Sequence, residues 1–79
     1  MDYKFLDKVV GQIVSETFTF EERGHTFINY PFINYTGVSS NLNIPMVGLS
    51  KHCENIYGLN GDEIMYVQKE YEKIIKRKF

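Results

Sequence analysis

Tryptophan is absent from this chain, cysteine occurs once and proline twice. A lone Cys53 excludes an intrachain disulfide and fits a reducing compartment. No apolar run approaches the roughly 20 residues of a membrane-crossing helix. The N-terminus lacks the basic and apolar regions of a secretion signal, so a cytoplasmic protein is expected. Asn34-Tyr35-Thr36 spells a glycosylation sequon, which stays unused without secretion. An excess of either charge is also missing. Nine basic and ten acidic residues leave a net charge of −1, which removes the global electrostatic case for nucleic acid or an anionic membrane.

What the chain has in quantity is aromatic rings: six Phe and six Tyr among 79 residues. That length holds one core, so residues 1–79 are read as a single domain. Domains below roughly 80 residues often draw stability from disulfides, a metal or a partner chain. With the first excluded and no metal-ligand spacing present, a partner chain is the leading source of support. A small domain hides only some of twelve rings, and a cluster left outside marks an oligomer or partner patch. Self-association is expected on this ground.

Periodicity divides the chain. From Asp2 to about Thr17, Leu6, Val9, Val10, Ile13 and Val14 recur at three- and four-residue spacing, the stripe of an amphipathic helix. Gly11 lowers helix propensity there by about 1 kcal/mol relative to Ala and is read as tolerated. The period then shortens to two in Thr17-Phe18-Thr19-Phe20, a half-buried strand. The polar Glu21–His25 stretch contains Gly24, suited to positive φ, and predicts a hairpin returning through Thr26 to about Tyr30. A three-residue loop puts Phe18 and Phe20 on one face with Ile28 and Thr26. A two-residue loop pairs Phe20 with Phe27 instead, and both registers fit the sequence.

A tandem pentapeptide follows, Phe27-Ile28-Asn29-Tyr30-Pro31 and then Phe32-Ile33-Asn34-Tyr35-Thr36. Two copies are too few for a repeat architecture, and the similarity is read as two β-prone pieces. Pro31 cannot donate to a ladder, so a bend or an edge is expected there. If the protein has an interaction surface, this segment is its predicted place, through Phe27, Tyr30, Phe32 and Tyr35.

Residues 37–43 are small and polar, hence a loop, and 44–49 suggest a short third strand. Ser50 then resembles the N-cap of a short helix through Tyr57, closed by Gly58. Asn60 and Glu63 have the spacing of a capping box opening the last helix, whose stripe is Ile64, Val67, Tyr71, Ile74 and Ile75. The predicted fold class is α+β: an N-terminal helix, a β-hairpin or small antiparallel sheet of two to three strands, a short helix and a long C-terminal helix. The first and last helices are expected to pack on one face of the sheet.

Constellations for chemistry are weak. His52 and Cys53 are adjacent, but neighbouring helix residues project about 100° apart and do not meet. His25, His52 and Cys53 lack zinc-type spacing. Glu21/Glu22 fall at a turn, and Asp62/Glu63 at a helix start where the dipole explains them. No Gly-rich phosphate loop follows a strand. No catalytic residue, cofactor or metal is therefore expected, and the chain is read as a non-catalytic interaction module.

Residues 50–69 supply the alternative, a DNA-binding regulator. Cys53, Tyr57, Gly58, Leu59, Ile64 and Val67 resemble a helix-turn-helix in spacing. Glu54 stands where that motif packs a small residue, and Asp62 and Glu63 would face phosphates, so nucleic acid is the less favoured partner.

The tail His52-Cys53-Glu54-Asn55-Ile56-Tyr57-Gly58-Leu59-Asn60-Gly61-Asp62-Glu63-Ile64, continuing to Tyr71, resembles small proteins of marine tailed phages. Phe5-Leu6-Asp7-Lys8-Val9-Val10 and Ile13-Val14-Ser15-Glu16-Thr17 have the same character. The resemblance spans about half the chain and leaves the β middle unmatched. It implies an accessory viral protein with a host or viral protein partner in the bacterial cytoplasm, and transfers no site residue.

Overall fold

Asp2 starts the first helix by accepting the Phe5 N–H at 3.1 Å. A computed structural model describes residues 1–32 and 44–78. Helix α1 runs Tyr3–Ser15 and buries Leu6, Val9, Val10 and Ile13 of the stripe read from spacing, while Val14, its fifth member, is half-buried against the core. Nothing lies within 4 Å of a Cβ built on Gly11, which agrees with its reading as tolerated.

Strands β1 (Phe18–Glu22) and β2 (His25–Asn29) pair antiparallel, with Phe20 opposite Phe27 and Glu22 opposite His25. The loop is therefore the two-residue one. Arg23 and Gly24 both take positive φ, at 53° and 80°, as a type I′ turn requires. Gly24 adopts this freely, whereas Arg23 sits there against a penalty of roughly 1 kcal/mol.

Helix α2 (Met46–Tyr57) corrects the expected third strand and the expected Ser50 cap. Pro45 stands at the N-cap position, and Leu49, His52 and Cys53 then fall on one buried helical face. The Ser50 hydroxyl donates back to the Met46 carbonyl at 2.9 Å instead of capping, and accepts from the Gln68 amide at 2.6 Å. Gly58 ends α2 with φ 65°, its N–H on the Glu54 carbonyl at 3.1 Å. The capping box of α3 (Gly61–Lys78) is reciprocal. Glu63 N–H donates to Asn60 Oδ1 at 3.0 Å, and Asn60 N–H donates to Glu63 Oε1 at 2.9 Å.

The core forms mainly among helices. Helix α3 packs against both α1 and α2 and buries Val67, Tyr71 and Ile75, while Ile74 stays exposed. The expectation that α1 and α3 would lie on a sheet face needs correction. Two short strands offer too little surface, and Ile28 is the buried apolar side chain they contribute. Tyr30 and Phe32, just past β2, fill the remaining space. Their rings stack at 5.1 Å, and Phe32 meets the Tyr71 ring edge-on at 5.8 Å. The Tyr71 hydroxyl lies 2.7 Å from Thr17 Oγ1, which itself donates to the Ile13 carbonyl at 2.8 Å. The single Thr17 proton is thus committed, and Tyr71 is the donor between them.

Candidate interaction surface

Alternation along the hairpin decides which rings face outward. Thr19 pairs with Ile28, so the buried Ile28 marks the core-facing side. Phe18, Phe20 and Phe27 project from the opposite side. Phe18 is 54% exposed, and Phe20 and Phe27 are half-buried, with stacked rings 5.5 Å apart. The His25 ring approaches Phe27 edge-on at 6.4 Å. The outcome is an apolar ribbon of three rings, bordered at the turn by exposed Glu21, Glu22 and Arg23.

The four residues picked from the sequence separate. Phe27 belongs to this outer face. Tyr30 and Phe32 do not: both are fully buried, Tyr30 stacked on Phe32, and Phe32 against His52 of α2 and Tyr71 of α3. Tyr35 lies outside the described residues. Phe18 and Phe20 take the vacated place in the surface. The signal for them was the two-residue register, which puts Phe20 beside Phe27 on one pleat.

Cys53 is fully buried, and burial pushes its thiol up to about 11, so little thiolate forms near neutrality. His52 is buried between the rings of Phe32 at 6.1 Å and Tyr57 at 5.9 Å. Burial lowers its pKa, the Glu16 carboxylate partly opposes this, and Nε2 has no hydrogen-bond partner. With its thiol pushed up by burial, Cys53 is a poor nucleophile for the neighbouring imidazole to activate. The Tyr66 hydroxyl donates to Asp7 at 2.7 Å, and that bond, with partial desolvation and the nearby Asp7 and Glu70 charges, raises its pKa to about 12. Among the described residues, no three His, Cys, Asp or Glu side chains converge as metal ligands. Nor is any helix there long and apolar enough to cross a membrane.

Helices α2 and α3, joined by residues 58–60, do have the order of a helix-turn-helix. The start of α3 nevertheless presents Asp62 and Met65 to solvent. Farther along, Lys73 and Lys76 are engaged within the helix by Glu70 at 3.1 Å and Glu72 at 2.7 Å. Compared with family models, curated proteins and solved structures, the chain finds no match.

Proposed function

We propose that this protein is a small non-catalytic interaction module that self-associates through the outer face of its hairpin, with Phe18, Phe20 and Phe27 as the contact rings. One observation carries the reading: three Phe side chains stand on the side of the ribbon opposite the core, two of them stacked on each other. Rings in such an array gain by being covered, at about 25 cal/mol for each Å² of apolar area removed from water. Light scattering across a concentration series tests the idea. The wild type should form dimers or larger oligomers. Phe18→Thr and Phe20→Thr, which keep strand propensity, should shift it to monomer with helical circular dichroism unchanged. A strict monomer at high concentration would defeat the reading.

The cellular setting proposed follows the resemblance of the two helical ends: an accessory phage protein in the cytoplasm of its bacterial host, where a host or viral protein is a further partner for the face. DNA binding through residues 50–69 has less support, since acidic and internally paired side chains occupy much of the helix that would meet phosphates. A salt-dependent shift of duplex DNA at low ionic strength would reverse that preference.

A further inference from the structure

Strand β1 has a pairing edge whose geometry suits a second copy of this chain. A two-residue hairpin closes on a hydrogen-bonded pair, here Glu22 with His25, and hydrogen-bonded and non-bonded pairs then alternate. Phe20–Phe27 and Phe18–Asn29 are thereby hydrogen-bonded pairs. Thr19 and Glu21 aim their backbone N–H and C=O groups away from β2, and among the described residues no strand meets them. Both side chains are exposed, and no proline interrupts the edge.

Two further observations concern charge. The C-terminal end of α1 holds no basic residue in its last turn and carries Glu16 at the cap, where the helix dipole favours a cation. Arg23 occupies a backbone conformation that disfavours its residue type, yet its exposed side chain has no ion pair among the described residues. The Glu16 carboxylate accepts from the Gln12 side-chain amide at 2.9 Å, and among the described residues neither it nor Arg23 has an ion-pair partner.

A single arrangement answers all of these. We propose that two copies pair antiparallel along β1 with Phe20 opposite Phe20 of the partner, joining the hairpins into a four-stranded sheet and bringing each Arg23 to the Glu16 end of the other copy's α1. In that register Thr19 and Glu21 of one chain form the hydrogen-bonded pair with Glu21 and Thr19 of the other. The stacked Phe20–Phe27 pair continues into its symmetry mate as a row of four rings on one face. Glu22 falls opposite Phe18, and no two carboxylates meet directly across the seam. The ladder ends at the Glu22–Phe18 pair, and the turn that carries Arg23 lies just beyond it, toward the Glu16 end of the other copy's α1. The contact is isologous and closes at two copies.

The proposal rests on the self-association reading above but places the seam at the β1 edge, where Phe20 is the ring that meets its mate, and its test separates the two. Sedimentation equilibrium of the full chain would be compared for wild type, Thr19→Pro, Glu16→Lys, Arg23→Asp and the double variant Glu16→Lys/Arg23→Asp. Pro at position 19 removes an N–H that β2 does not use, and Asp tolerates the positive φ of position 23. Each single variant should weaken the dimer about tenfold or more, and the double charge swap should recover most of the loss. Glu16→Lys also places a cation at the end of α1. It should therefore raise the thermal midpoint at low concentration while weakening the dimer, which separates lost association from lost fold. An oligomer insensitive to Thr19→Pro and to the charge changes would overturn this pairing while leaving self-association standing. A wild type that stays monomeric would overturn both.

Discussion

Acidification should destabilise this protein through one buried imidazole. His52 lies 8% exposed between Phe32 and Tyr57, with Nε2 unpartnered, so protonation would put a charge where water is excluded. Burial lowers its folded-state pKa below the unfolded value of 6.5, against a smaller opposing pull from Glu16. The sign follows from proton linkage. Above the unfolded value neither state binds the proton, and the stabilisation is complete. As pH falls, the unfolded chain takes up the proton first, and stability is lost until the folded pKa is reached. One proton limits the slope to about 1.4 kcal/mol per pH unit. Urea unfolding of wild type and His52→Phe between about pH 7.5 and pH 5 measures it, because carboxylates common to both proteins cancel in the difference. The wild type should lose stability relative to the variant below about pH 6.5. Glu16→Gln should extend the loss to lower pH, since it removes the charge that favours the imidazolium. Parallel curves for wild type and His52→Phe would refute the placement of His52 in the core.

Three further outcomes follow from the helices. Gly11→Ala should stabilise the fold by about 0.5–1 kcal/mol in thermal unfolding, because open space surrounds a built Cβ on a helical backbone. Asn60→Ala should cost about 1 kcal/mol in the same assay, since it removes the acceptor for the Glu63 N–H and unlocks the reciprocal bond. Cys53 should resist a thiol reagent in the native protein and react promptly in denaturant, because its sulfur is buried and its pKa is raised to about 11.

Local rules carried different parts of the molecule to different extents. The α1 stripe, the Asn60–Glu63 capping box and the Gly58 stop each depend on residues a few positions apart, and each was legible in order and type. Ser50 shows how a local reading fails. A serine before a helical stretch fits a cap, but Gln68, 18 residues away, holds its hydroxyl inside α2. The candidate surface was legible only in kind. Rings in excess of what a small core holds pointed to an exposed aromatic patch, and such a patch exists on β1 and β2.

Which rings form it was a tertiary decision. Moving the hairpin loop from three residues to two exchanges the faces of β1 relative to β2, and composition is blind to that choice. Tyr30 and Phe32 share the pentapeptide pattern with Phe27, yet they are buried because the helical core has a space beside Tyr71 and His52 that the short sheet leaves open. Chain order, the amphipathic stripes and the absence of a disulfide were settled in one dimension, since helix and turn energetics are local and Cys53 is the only cysteine. The division of the rings between core and surface required the fold, because burial depends on neighbours far apart along the chain.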